Sequence, residues 1–193
     1  MTALRRCIPL VAAIVAATAP VFAGDHATNP ATRRYAETMQ ISMSEAAQRM
    51  AAEKAAGELN ARLQQEKPGT FAGLYIEHTP EFRIVVRFTG DASKQLSAYT
   101  RDRLYVAGTA PRSLELLRAT QQTVADQLNN ADMDFVTTVD VRNSLVDVYV
   151  LDPESARVKL SEPLSALSFI RIKETTGFVQ LTHGMLGGGA PGR

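Results

Sequence analysis

The 193-residue sequence has no tryptophan, one cysteine and three histidines. The single cysteine, Cys7, excludes an intrachain disulfide and a multi-cysteine metal site, because each needs at least two thiols. The histidines His26, His78 and His183 are scattered along the chain and form no local metal-binding motif. We therefore expect no metal site and no cofactor.

Neither sign of charge is in excess, since 21 Lys and Arg residues balance 20 Asp and Glu residues and leave a formal net charge of +1. Nucleic-acid-binding proteins usually carry a basic surplus that neutralises phosphates, so this balance argues against that class. Hydrophobic residues make up 45% of the chain and charged residues 21%. That composition is typical of globular proteins, and the length allows one domain or two small ones.

The N-terminus has the pattern of a targeting segment. Arg5 and Arg6 precede a short apolar run that ends at Ala23. A charged start, an apolar stretch and a small-residue end predict a secretory signal peptide over residues 1–23, cleaved between Ala23 and Gly24. The run is shorter than the ~20 residues of a comfortable membrane span. We therefore expect a secreted or periplasmic protein without a stable membrane span, and a flexible lead-in over residues 24–41.

Two similar units follow, over residues 42–110 and 111–173. In the first unit, Ser42 and Glu45 have the Ser-x-x-Glu spacing of a capping box, which predicts a helix from there to about Gln65. Period-two alternation of apolar residues then indicates half-buried strands. The strands predicted in the first unit are Thr70–Glu77, Phe82–Gly90 and Arg103–Ala107.

The second unit repeats this order. A helix is predicted to begin at Ser113 and to end near Asn130, and strands are predicted at Met133–Arg142, Leu145–Leu151 and Leu167–Lys173. The fold class is therefore α+β, with two tandem α-β-β-β modules in which a helix packs on a small antiparallel sheet. Each module alone is small for a stable core, so we expect the two to dock. A flexible C-terminal tail is predicted over residues 174–193.

Several segments carry a family resemblance. Phe71–Glu77, followed by a turn and Arg83–Val86, resembles the first module of the alpha-lytic protease prodomain family. Ser113–Leu117 begins a helix, and Val148–Val158 resembles the strand, Asp-Pro turn and strand of the second module. The resemblance covers Ser42–Lys173. It implies that the chain corresponds to the propeptide region of a secreted chymotrypsin-like serine protease. In that family the propeptide assists folding of the protease and then inhibits it.

The sequence also departs from that pattern. A protease of this family would need a Gly-Asp-Ser-Gly-Gly nucleophile loop and a histidine beside a cysteine, and neither occurs. We therefore expect a non-enzymatic protein that folds or inhibits a serine protease encoded elsewhere, or a detached remnant of a protease precursor. The alternative is a structural or protein-interaction domain of the cell envelope with no protease partner.

The resemblance implies binding by strand addition, in which an exposed sheet edge is completed by a second chain. The segment Phe169–Lys173 is the predicted edge strand, with two cations that oppose self-pairing. The tail after it is predicted either to enter a protease cleft in extended form or to be disordered. The predicted partner-binding residues are Phe169, Ile170, Arg171, Ile172, Lys173, Phe178, Val179, Gln180 and Leu181.

Overall fold

A computed structural model describes residues 29–177, so the predicted cleavage site at Ala23 and Gly24 lies outside the described residues. The chain divides into two compact units, one that ends at Gln48 and one that begins at Arg49. The second unit contains two three-stranded sheets, each packed with a helix. The predicted α+β class is confirmed.

The first helix, α1 (Pro30–Met39), lies where a flexible lead-in was predicted, and that prediction is wrong for these residues. Asn29 caps the helix, because its side chain accepts a hydrogen bond from the Ala31 N–H at 2.9 Å. Pro30 occupies the first turn, where its fixed φ suits a helix and its missing N–H costs nothing. Gln40 ends the helix in the left-handed region, at φ 54°.

The long helix α2 (Met43–Glu66) begins as the capping box predicts. The Glu45 N–H donates to the Ser42 hydroxyl at 3.1 Å. In its second half, Ala56 and Leu63 are buried in the core of the first sheet. The helix ends where Pro68 and Gly69 follow, since proline and glycine are poor continuations of a helix.

The first sheet has the order β1-β2-β3, built from β1 (Phe71–Glu77), β2 (Arg83–Phe88) and β3 (Tyr105–Thr109). β1 and β2 form an antiparallel hairpin, but β3 runs parallel to β2. The expectation of a purely antiparallel sheet is therefore wrong. A parallel strand needs a crossover connection, which here contains the short helix α3 (Ala92–Ser97), capped by Asp91.

The second module repeats this topology. Its elements are α4 (Leu114–Asn130), β4 (Phe135–Asp140), β5 (Leu145–Val150), α5 (Pro153–Lys159), α6 (Glu162–Ser165) and β6 (Ile170–Glu174). β4 and β5 are antiparallel, and β6 is parallel to β5. The prediction of a strand after Asp152-Pro153 is wrong, because Asp152 accepts hydrogen bonds from the N–H groups of Glu154 and Ser155 and so caps α5.

Each sheet turns one apolar face to its helices. In β2 the alternate residues Ile84, Val86 and Phe88 are fully buried, as the period-two pattern predicts. In β5 the equivalent set is Val146, Val148 and Val150. Each sheet has its own buried cluster, and the two clusters adjoin, because Leu114 of α4 belongs to the first cluster and Val139 of β4 packs against both.

The two modules are joined by Arg87 of β2. Its guanidinium donates to the carbonyl oxygens of Val141 and Arg142 and to the hydroxyl of Ser144, all in the β4–β5 turn. The Arg142 and Ser144 contacts are 2.7 and 3.1 Å long. A fourth bond goes to the Thr109 carbonyl at 3.0 Å. One side chain therefore ties the turn of the second module to two strands of the first.

A glycine permits the close approach at this joint. Gly73 of β1 has φ +111° and lies beside the Val141 side chain, where a Cβ would come within 2.9 Å of Val141 Cγ2. Only glycine adopts that φ without strain. Arg142 completes the contact, with its guanidinium 4.4 Å from the centre of the Tyr75 ring and 3.4 Å from Glu77. The joint combines packing, hydrogen bonds and an ion pair.

Candidate functional site

The predicted edge strand is an edge strand in the structure. β6 has β5 on one side, and no strand between residues 29 and 177 pairs with its other side. Ile170–Lys173 lie within β6 and Phe169 directly precedes it. The other predicted contacts lie outside the described residues, namely Phe178, Val179, Gln180 and Leu181.

The backbone of β6 shows which groups remain open. The Val146 N–H donates to the Phe169 carbonyl at 2.8 Å, and the Thr175 N–H donates to the Val150 carbonyl at 2.9 Å. Alternate residues of a strand direct their backbone groups to opposite sides, so Arg171 and Lys173 also face β5. Ile172 therefore directs its N–H and C=O to the open side, which is the requirement for an added strand.

The opposite edge of the same sheet is partly covered. Gln121 of α4 donates from its side-chain amide to the Thr137 carbonyl of β4 at 3.1 Å, and to the Thr137 hydroxyl at the same distance. A strand added to β4 would have to compete with that bond. On the β6 edge the Ile170 N–H is bonded to the Leu167 carbonyl at 3.0 Å, but no strand in residues 29–177 pairs with the outward groups of Ile172, so β6 is the more open of the two edges.

The face of the second sheet opposite its core carries an ionic cluster centred on Asp147. This β5 residue is only 5% exposed. Arg171 binds it with two parallel bonds, Nε to Oδ1 at 2.6 Å and Nη2 to Oδ2 at 2.9 Å. Lys173 Nζ lies 3.0 Å from Oδ2. A bidentate arginine pair fixes geometry as well as charge, so the cluster orients the β6 side chains.

Asp140 at the end of β4 extends the cluster. Its Oδ2 lies 2.9 Å from Arg171 Nη2, and it accepts two hydrogen bonds from Asn143 at 2.8 and 2.9 Å. Burial raises the pKa of Asp140, but the bonds from Asn143 and Arg171 outweigh it and leave the pKa below its ordinary value. Asp140 is therefore ionised at neutral pH.

The same balance holds at Asp147 and its partners. Burial raises the pKa of Asp147, but the hydrogen bonds from Arg171 and Lys173 outweigh burial and leave the pKa below its ordinary value. The Asp147 hydrogen bond in turn raises the pKa of Lys173, whose Nζ also lies 3.4 Å from the Tyr149 hydroxyl. Two carboxylates and two cations thus form a neutral cluster, and the cations of β6 are held on the sheet face.

The apolar residues of the predicted site have a structural role. Phe169 is 8% exposed and belongs to the core of the second module. The Arg112 guanidinium covers it, 4.2 Å from the ring centre. Ile170 and Ile172 also pack against that core. Because these side chains face inward, β6 offers a partner mainly its backbone.

Sequence reasoning missed Asp147. The sequence does carry a signal for it. Asp147 lies between the apolar residues Val146 and Val148, and two cations, Arg171 and Lys173, alternate on a later strand. Opposite charges on the polar positions of two strands indicate cross-strand pairing. Without the parallel register that sets Asp147 opposite Arg171, the two signals could not be joined.

Other chemistry is limited in the described part of the chain. Residues 29–177 contain no group of three or more His, Cys, Asp or Glu side chains arranged to hold a metal ion. Their one histidine, His78, lies in the β1–β2 turn with its ring 5.7 Å from that of Phe82. None of the helices in this part of the chain is long and apolar enough to cross a membrane.

The chain matches no protein-family model and no curated protein sequence.

Proposed function

We propose that this chain is an extracytoplasmic, prodomain-like protein that assists the folding of, or inhibits, an alpha-lytic-type serine protease. In this proposal the protease adds a strand to the open edge of β6. The carrying observation is that edge: Ile172 presents backbone groups outward, and no strand in the described residues pairs with them. Main-chain hydrogen bonds supply affinity in this binding mode.

The ionic cluster supports the same proposal. Asp147 holds Arg171 and Lys173 on the sheet face, so β6 is ordered before a partner arrives. A preordered strand pays less conformational entropy on binding than a flexible one. The two cations also disfavour pairing of β6 with another copy of itself, which keeps the edge available.

The test uses a matched pair of substitutions at Ile172. Ile172→Pro removes the outward N–H, and Ile172→Ala removes a similar amount of packing but keeps the N–H. We expect both variants to lose similar stability. Ile172→Pro should inhibit an alpha-lytic-type protease about 2- to 10-fold more weakly than Ile172→Ala does. This difference is the equivalent of one net hydrogen bond.

A truncation after Gly177 separates the tail from the strand, because it leaves β6 intact and removes Phe178–Leu181. Loss of inhibition on truncation alone would assign binding to the tail. Refolding yield of the denatured protease, with and without an equimolar amount of this protein, tests the folding role. If the full chain neither inhibits nor promotes refolding, the proposal fails and the cell-envelope interaction domain is the better interpretation.

A further inference from the structure

The first module has an open edge that is equivalent to β6. Its third strand β3 is parallel to β2, and no strand in residues 29–177 pairs with its outer side. The Ile84 N–H donates to the Leu104 carbonyl at 2.8 Å, and the Ala110 N–H donates to the Phe88 carbonyl at 2.9 Å. These bonds correspond to those at the two ends of β6. The equivalent alternate residues of β3 and β6 therefore direct their backbone groups toward the neighbouring strand, an alternation that we call the backbone phase.

This phase determines the open groups of β3. Residues 104, 106, 108 and 110 face β2, so Tyr105, Ala107 and Thr109 direct their backbone groups outward. Two of those groups are already used within the chain. The Tyr105 N–H donates to the Asp102 carbonyl at 3.1 Å, and the Thr109 carbonyl accepts from Arg87 at 3.0 Å.

We propose that β3 is a self-association edge, on which the β3 strand of a second copy of this chain pairs antiparallel about Ala107. In this register Tyr105 lies opposite Thr109 of the second copy. The two groups already used, the Tyr105 N–H and the Thr109 carbonyl, are those that would bond to each other. The open N–H and C=O groups of Ala107, the Thr109 N–H and the Tyr105 carbonyl find partners, so no backbone group is left unpaired.

Side chains favour the same register. Val106 lies opposite Gly108 of the second copy in a non-hydrogen-bonded pair, the type in which side chains approach most closely. Val106 and Leu104 are each 37% exposed, so apolar surface remains to be covered. Gly108 has no side chain, and a Cβ there would lie 3.3 Å from Val85 Cγ1 and from Arg87 Cγ. A valine from the second copy can cover the surface that Gly108 leaves bare.

The charges distinguish the two edges. No residue of β3 is charged. By contrast, antiparallel self-pairing of β6 about Ile172 would set Arg171 opposite Lys173 of the second copy, and like charges directly opposite are destabilising. Sheet edges without charged residues are those that pair with other chains. The molecule therefore has one edge suited to self-pairing and another protected from it, and this inference does not depend on the proposed protease partner.

The experiment measures mass by sedimentation equilibrium over about 1 μM to 1 mM protein, a range that covers weak complexes. We expect the full chain to form a dimer in this range. Val106→Lys introduces a charge on the edge and should raise the dimer dissociation constant at least tenfold. Val136→Lys is the matched control, because Val136 is a 47% exposed valine on an edge strand of the other sheet. It should leave the dissociation constant unchanged.

A second measurement tests the register. Ala107→Cys, in a Cys7→Ser background, places two thiols at the twofold position, where paired Cα atoms are about 5.5 Å apart and within disulfide range. Mild oxidation should give a cross-linked dimer, and Leu116→Cys, at an exposed position of α4, should not. A monomer at every concentration overturns the proposal. A dimer that Val106→Lys does not weaken, or that cross-links equally well through Leu116→Cys, places the interface elsewhere and also overturns it.

Discussion

Substitution of Arg87 tests directly how the two modules are held together. Four acceptors surround its guanidinium, but they differ in access to water. The carbonyls of Arg142 and Thr109 are in exposed hydrogen bonds, whereas the bonds to the Val141 carbonyl and the Ser144 hydroxyl are partly buried. In Arg87→Ala, water replaces the arginine at the exposed acceptors, and the two others lose their partner.

The magnitude follows from those two acceptors. A buried acceptor left without a partner costs about 1–3 kcal/mol; Ser144 is fully buried and Val141 is half-buried. We therefore expect Arg87→Ala to lower the free energy of unfolding by about 2–4 kcal/mol. Arg87→Lys should be intermediate, because one ammonium group cannot reach acceptors on both the β4–β5 turn and β3.

The control lies on the same strand and the same face. The Arg83 side chain is 46% exposed and pairs with Glu77, which keeps Arg142 as a second cationic partner, so we expect loss of the Arg83 side chain to cost only about 0–1 kcal/mol. Urea unfolding followed by circular dichroism should separate Arg87→Ala from Arg83→Ala by more than 1 kcal/mol. If the joint is what couples the modules, Arg87→Ala should also broaden the transition or split it in two. Equal stability of the two variants would refute the role assigned to Arg87.

Three further outcomes are expected. Gly73→Ala should lower the free energy of unfolding by about 2–4 kcal/mol, because of the positive φ of Gly73 and the clash with Val141. Gly69→Ala should leave stability nearly unchanged, because a Cβ at Gly69 meets nothing within 4 Å. Equal melting temperatures of the two variants would contradict this expectation. Val148→Asp should unfold the second module, because an unpaired carboxylate in a core costs several kcal/mol; an unchanged melting curve would show that Val148 faces solvent. The lowered pKa of Asp147 stabilises the fold at pH values above the ordinary 3.8, and this contribution is lost as the pH falls through the lower folded value. Urea midpoints measured from pH 6 to pH 3 should therefore fall less steeply in Asp147→Asn than in the native chain, and parallel curves would argue against the cluster.

The sequence predicted the elements that carry a repeated signal. Ser42 and Ser113 mark the starts of α2 and α4 by their capping positions, and alternation marks β2 and β5 over several residues. Each of these signals lies within a short segment, so the sequence alone is enough to identify it. The fold class followed from their repeated order.

The direction of the third strand could not be read in the same way. A strand has the same side-chain alternation whichever way it runs, so only the connection determines its direction. Here the connections contain α3 and α5, of six and seven residues, which are too short to show a clear helical period. The edge position of β6 was predicted from the family resemblance, but its ionic partner Asp147 was missed because the pairing spans 24 residues.

The parallel third strand has a consequence for the order of folding. Asp140 and Leu145 of the β4–β5 hairpin are close neighbours in sequence, whereas Asp147 and Arg171 are paired across 24 residues. Loop-closure entropy makes the longer connection about 1.4 kcal/mol more costly to close. The hairpin is therefore expected to form first and β6 to dock last. A chain that adds to β6 then stabilises the final step of this module's folding, so ligand binding and completion of the fold are thermodynamically linked.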